Sequence, residues 1–144
     1  GDRIGYVLVP NEVEESERVM FAVAGAGRAL GYICAPVFFQ RVIAACVDEP
    51  VNASAYAANR ELLTKGLDEL GYRYIAPDGA FYLWMQALEP DAQAFSNKAK
   101  EHELLLVPSD SFGVGGWVRV SYCVSADVIR NSMPAFAALK RDYE

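Results

Sequence analysis

Arg73-Tyr74-Ile75-Ala76-Pro77-Asp78-Gly79-Ala80-Phe81-Tyr82-Leu83-Trp84-Met85 is the stretch at which the chain turns from helix to sheet. Aromatic and branched residues stand on both sides of the turn formers Ala76-Pro77-Asp78-Gly79, so the segment predicts a hairpin with arms at Arg73 to Ile75 and Ala80 to Met85. Just before it, Tyr56, Leu63, Leu67 and Leu70 recur on one face of a 3.6-residue period. That spacing predicts a helix from Asn52 to Leu70, with Gly71 closing its C-terminus. Beyond the hairpin, Asp91 is placed to cap a helix reaching Glu101, Leu104 to Val107 reads as strand, Ser109 to Gly116 as loop and Trp117 to Cys123 as strand. Ser125 caps a last helix, which Pro134 should kink or end early because it has no backbone N–H to give. The order implies an α+β fold, a small and mostly antiparallel sheet covered by helices.

Upstream, Arg3 to Pro10 is a short apolar run that reads as a strand stopped by Pro10-Asn11. A helix is expected from Asn11 or Glu12 to near Gly31, since Glu12, Glu14, Glu15 and Glu17 suit the positive end of a helix dipole. Pro36 can sit at the start of a second helix, Val37 to Cys46, ended by Asp48-Glu49-Pro50. The first strand is separated from the hairpin by a long helical stretch, so it is expected to be an edge piece of a different sheet.

Composition narrows the function classes. The chain has 144 residues, 53% of them hydrophobic and 22% charged, as a packed domain does. Thirteen basic against 19 acidic residues give a net charge of −6, with no Lys/Arg run to neutralise phosphates, which argues against nucleic acid and anionic membranes as partners. The longest apolar stretch, Val19 to Pro36, is interrupted by Arg28 and glycines and does not read as a membrane span. Three widely spaced cysteines, Cys34, Cys46 and Cys123, suggest neither a disulfide framework nor a metal site and fit a reducing cytoplasm. The opening Gly1-Asp2-Arg3 lacks an initiator Met and a signal sequence, as expected of a segment from a longer chain.

Several stretches carry possible chemistry. Phe21 to Gly31, with Gly25, Gly27 and Gly31 ahead of Asp48-Glu49, imitates a dinucleotide-binding unit; the acid-rich helical phase before it favours a small-residue helix instead. Ser109 to Gly116 lacks the Lys-Ser/Thr of a phosphate loop and reads as a flexible connection. His102, the one histidine, has no companion at metal-ligand spacing. Arg119 differs from these, because alternation along Trp117-Val118-Arg119-Val120-Ser121-Tyr122 puts Trp117, Arg119 and Ser121 on the face opposite Val118, Val120 and Tyr122. A guanidinium on a rigid strand suits bidentate recognition of a carboxylate, and it equally suits a half-exposed sheet surface. Arg3 is open in the same way, with a phosphate or carboxylate as its partner.

Taken in order and spacing, Gly1-Asp2-Arg3-Ile4-Gly5-Tyr6, Pro77-Asp78-Gly79-Ala80-Phe81-Tyr82-Leu83-Trp84, Val107-Pro108 with Ser111-Phe112-Gly113, and Gly116-Trp117-Val118-Arg119-Val120-Ser121 resemble the C-terminal portion of class I/II aminotransferases, the pyridoxal-phosphate enzymes of fold type I. The resemblance implies that residues 1–50 end the large cofactor-binding domain and that residues 51–144 are the small C-terminal domain. It implies that Arg3 binds the phosphate of pyridoxal 5'-phosphate, that Arg119 forks onto the substrate α-carboxylate, and that Phe81 and Tyr32 line the substrate site, Tyr32 toward a partner subunit. An amino acid and a 2-oxo acid are the implied substrates, a homodimer the implied assembly. The family's cofactor-holding lysine lies shortly before the position of Arg3, and none of Lys65, Lys98, Lys100 or Lys140 falls in a matching motif, so this chain by itself is expected to be inactive. Carbon-sulfur lysis and decarboxylation on the same scaffold are the alternative chemistries. A nucleotide-binding module using the three glycines, or a catalytically silent interaction module, are the alternatives of other classes.

Overall fold

The computed structural model describes residues 3–144. The chain divides into two compact units, Gly1–Val51 and Asn52–Glu144. In the first, two helices, α1 (Ser16–Ala29) and α2 (Val37–Cys46), follow an extended N-terminal segment, and neither helix contains a buried residue. The second holds α3 (Ser54–Glu69), β1 (Tyr74–Ile75), β2 (Tyr82–Gln86), α4 (Ala92–Glu101), β3 (Val107–Pro108), a 3-10 turn (Ser109–Phe112), β4 (Trp117–Ser121) and α5 (Ala126–Arg141).

The four strands form one antiparallel sheet in the order β1-β2-β4-β3, so the architecture is α+β, a small antiparallel sheet with five helices among the described residues. The hairpin forms, with Tyr74 opposite Met85 and Ile75 opposite Trp84, but its second arm begins at Tyr82 and not at Ala80, because the connection continues through Ala80 at φ 59°. Period-2 alternation drives Leu83, Met85, Val118 and Val120 into one face, where they join Leu63 and Leu67 of α3, Phe95 and Ala99 of α4, and Ile129, Phe136 and Leu139 of α5 in a single core. Gly71 takes φ +69° beyond α3, the left-handed geometry that a glycine accepts without strain. The Asp91 carboxylate accepts from the N–H groups of Gln93 and Ala94 at 2.9 and 3.0 Å, and the Ser125 hydroxyl accepts from Val128 at 3.3 Å, so both capping residues act as their positions predict.

Arg3 to Pro10 is extended and pairs with no strand among the described residues. Three local expectations are corrected. α1 begins at Ser16 instead of Asn11 or Glu12, since the chain first passes through turns closed by Val13 N–H to Pro10 O and Ser16 N–H to Val13 O, and Glu15 stands at φ 51°. Pairing with β4 starts only at Val107, so Leu104 to Leu106 run unpaired, with Leu104 and Leu106 turned into the core. α5 passes unbroken through Pro134; Pro134 and Arg130, whose carbonyl loses its helical donor, are both exposed to water, while Ile129, Phe136 and Leu139 pin the helix to the core on either side.

Candidate functional site

β2 and β4 pair over five residues, with Tyr82 opposite Ser121, Trp84 opposite Arg119 and Gln86 opposite Trp117. Because alternate residues share a face, these six side chains stand together on the side of the sheet away from the core. Val107 of β3 lies opposite Arg119 on its other flank, which makes Arg119 the centre of a three-strand row.

Around Arg119 the surroundings are aromatic. Its guanidinium carbon lies 4.3 Å from the centroid of the Tyr82 ring and 5.1 Å from that of Phe112. Both distances are within the reach of cation–π attraction, which orients the planar group without neutralising it. Phe112 is in turn edge-on to Trp84, with centroids 5.4 Å apart. Among the described residues no carboxylate or carbonyl bonds the guanidinium, so its five N–H donors are available to an anion from outside. This is the arrangement that a forked carboxylate contact requires: a fixed, half-buried cation whose positioning neighbours do not consume its donors.

Phe112 reaches this place because the Ser109 to Gly116 segment is built, not flexible as its composition suggested. It opens with the 3-10 turn; the fully buried Ser109 accepts a hydrogen bond from Trp117 N–H at 3.2 Å; Gly113 and Gly116 supply φ values of 83° and 76°. Beside the guanidinium opens a cleft of about 380 Å³ lined by Ile75, Trp84, Phe112, Val114 and Trp117.

The other expected site residues are placed as follows. Phe81 precedes β2, and its ring stacks on Tyr56 of α3 at 5.8 Å and tilts against Tyr82 at 4.8 Å, so it supports the ring that touches Arg119. Its carbonyl accepts from Tyr122 N–H, and the Tyr122 hydroxyl donates to Ala80 O at 3.0 Å, which ties the turn to the end of β4. Arg3 is exposed on the extended segment of the first unit. Tyr32 belongs to the same unit, is 75% exposed, and donates its N–H to Gly27 O just after α1. Tyr82, Phe112 and Trp84 were not among the expected site residues. Alternation along each strand places Tyr82 and Trp84 on one face, but only the β2–β4 register aligns that face with Arg119.

The glycines that imitate a nucleotide loop do not form one. Gly25 and Gly27 lie inside α1 and Gly31 follows its end at φ 89°, so the stretch ends a helix, whereas a dinucleotide fingerprint opens one. His102 Nε2 lies 2.6 Å from Asp142 Oδ2, tying the end of α4 to the end of α5. No helix among the described residues is long and apolar enough to cross a membrane. Cys34, Cys46 and Cys123 are free thiols at exposed positions.

Comparison with known proteins bears on the fold and the family. The sequence profile described as aminotransferase class I and II matches residues 1–136. An amino transferase from Eubacterium rectale, of known crystal structure, superposes with a TM-score of 0.90 at 51% identity, covering all of this chain and 36% of that one. Among curated relatives, the aspartate/prephenate aminotransferase of Thermus thermophilus is 35% identical over 58% of this chain and 22% of its own length. The valine–pyruvate aminotransferase of Mycobacterium tuberculosis is 31% identical over 85% of this chain and 33% of its own. The chain thus spans about a fifth to two fifths of the curated relatives it matches. A small antiparallel α+β sheet carrying a cation on its open face, and a profile match over nearly the whole sequence, lead to one statement: the chain belongs to the class I and II aminotransferase family.

Proposed function

We propose that this chain is the C-terminal part of a pyridoxal-phosphate-dependent aminotransferase, moving an amino group from an amino acid to a 2-oxo acid. Residues 1–50 then end the large domain and residues 51–144 form the small one. The observation that carries the reading is the Arg119 guanidinium, held by the Tyr82 and Phe112 rings with its donors unspent among the described residues. In this role Arg119 receives the substrate α-carboxylate as a planar fork, and so fixes the direction in which the Cα–H bond points. Tyr82 and Phe112 restrict the guanidinium to one plane before substrate arrives, and Phe81 holds Tyr82 in place.

The donors on this chain fit the cofactor at its anionic end. Arg3, exposed on its extended segment, presents a guanidinium suited to the phosphate. The four lysines do not fit covalent attachment: Lys98 binds Glu101 at 2.8 Å, Lys100 binds Asn97 at 2.9 Å, Lys140 donates to Gly71 O at 2.9 Å, and Lys65 is exposed on α3, so none stands on a strand with Arg119. The attaching lysine is therefore assigned to a part of the protein outside these residues, and the chain alone is inactive. When bound, pyridoxal 5'-phosphate supplies the electron sink for bond cleavage at the substrate Cα. Tyr32 lines the site toward a second subunit of a homodimer. Exposed free thiols at Cys34, Cys46 and Cys123 support a reducing, cytoplasmic location.

The test is made on the full-length protein. With pyridoxal 5'-phosphate added, its visible absorbance is recorded while a panel of amino acids is supplied, and the released products are identified. Transamination predicts loss of the band together with the 2-oxo acid matching the donor. Ammonia with a cleaved carbon–sulfur bond, or carbon dioxide, refutes it in favour of lyase or decarboxylase chemistry; a protein that acquires no band at all refutes the cofactor.

A further inference from the structure

The connection that leads into Phe81 and Tyr82 is held from outside itself. Ala80 takes φ 59°, a left-handed conformation that a residue with a Cβ seldom adopts unless its surroundings enforce it. Among the described residues no backbone hydrogen bond closes the stretch from Pro77 to Ala80. Side chains meet its carbonyls instead: Arg60 Nη1 of α3 donates to Pro77 O at 3.1 Å, and the Tyr122 hydroxyl donates to Ala80 O at 3.0 Å.

Tyr122 is itself fixed on several sides. It belongs to the core and is 1% exposed. Its N–H donates to Phe81 O at 3.0 Å, and its carbonyl accepts from Asn59 Nδ2 of α3 at 3.1 Å. The same Asn59 nitrogen donates to Val124 O at 2.7 Å, so one side-chain amide fastens the segment between β4 and α5 to α3. The hydroxyl thus leaves a place set by the core and by α3, and it lands on the carbonyl of the left-handed residue that precedes Phe81.

We infer that Tyr122 is a positioning residue for the carboxylate-binding face: its hydroxyl holds Ala80 in the left-handed turn, and so aims Phe81 and Tyr82 to place the Tyr82 ring against the Arg119 guanidinium. The inference rests on the carboxylate role proposed for Arg119 above. The contacts run without a gap, from Tyr122 to Ala80 O, from the Phe81 ring to the Tyr82 ring at 4.8 Å, and from that ring to the guanidinium carbon at 4.3 Å. Tyr122→Phe removes one oxygen and leaves the ring in the core. Ala80 then loses the contact that enforces its φ, and the turn relaxes with Phe81 and Tyr82 behind it. A guanidinium without a fixed ring beside it must be ordered by the ligand, which weakens binding more than it slows the step that follows.

The experiment uses the full-length protein. Steady-state kinetics with its best donor, and calorimetry with succinate and 3-phenylpropanoate as inert carboxylates, compare wild type with Tyr122→Phe, Tyr82→Leu, the double variant, Asp91→Ala and Arg119→Lys. Tyr122→Phe is expected to raise KM and to weaken the tighter of the two probes by about threefold or more, with kcat less affected. In the Tyr82→Leu background it adds nothing further, because no ring is left to aim. Asp91→Ala, which lowers stability through the α4 cap, leaves KM and both affinities at wild type. Wild-type KM and affinities in Tyr122→Phe, an undiminished effect in the Tyr82→Leu background, or the same losses in Asp91→Ala would each overturn the inference. KM and affinities that survive Arg119→Lys overturn the carboxylate role itself.

Discussion

Gly66 offers a substitution whose sign the packing reverses. It lies in the last turn of α3, and a Cβ built on it would overlap Met133 Sδ of α5 and stand 3.2 Å from Met133 Cγ. In an open helix, Gly→Ala stabilises by about 1 kcal/mol through lost unfolded-state freedom and better helix propensity. Here the new methyl enters space that the thioether occupies, and overpacking of this kind costs about 1–3 kcal/mol. Met133 is half-buried and flexible, so it yields in part, which puts the cost near about 2 kcal/mol. The net expectation for Gly66→Ala is a loss of about 1 kcal/mol, a fall in Tm of about 4–8 °C for a unit of this size. In a Met133→Ala background the obstruction is gone and the same substitution gains about 1 kcal/mol, a coupling of about 2 kcal/mol across the cycle. Urea unfolding followed by tryptophan fluorescence measures it, since both tryptophans of the chain, Trp84 and Trp117, belong to the sheet that α3 and α5 cover. A Gly66→Ala chain more stable than wild type by the full helix-propensity gain, with no dependence on Met133, would refute the close α3–α5 contact.

Asp91→Ala removes the acceptor for two N–H groups at the start of α4 and should cost about 1 kcal/mol in the same unfolding assay, with Asn at this position restoring most of it. Tyr82→Leu keeps bulk but removes the ring face under Arg119, so the full-length enzyme should show a KM for its donor raised by roughly threefold to tenfold with kcat less affected. The hydrogen bond from His102, with help from Lys98, holds the Asp142 carboxyl below its ordinary value of 3.8. A depressed carboxylate pKa stabilises the fold above the unfolded value, and the contribution is lost as pH falls from about 4 through the folded value. Acid titration followed by NMR should therefore show Asp142 protonating later than a free aspartate, and His102→Ala should return it toward 3.8.

Much of the second unit could be read from local chemistry, because its elements are set by signals that lie within a few residues of each other. Asp91 and Ser125 declare helix starts, Gly71 a helix end, and Pro77-Asp78-Gly79 a reversal between two alternating runs. Arg3 to Pro10 is the converse case: its apolar residues match a strand in composition, while a ladder depends on another segment, and none of the described residues supplies one. Pro134 breaks a local rule that its exposed position allows. Arg119 announces itself by breaking the apolar run of its strand. Tyr82, Trp84 and Phe112 do not, because their proximity to Arg119 depends on the antiparallel register of β2 with β4 and on the 3-10 turn after β3, neither of which a one-dimensional period encodes.

The carboxylate role of Arg119 is tested most directly by Arg119→Lys in the full-length protein, measured as kcat/KM for its best donor and as the dissociation constant of an inert carboxylate. Replacing a planar fork with a point charge, in a site whose two rings are spaced for a guanidinium, predicts a fall in kcat/KM of about a hundredfold or more and a parallel weakening of the inert ligand. A variant that keeps wild-type kcat/KM and wild-type affinity would contradict it, and would leave Arg119 as a stacked surface cation with no part in holding substrate.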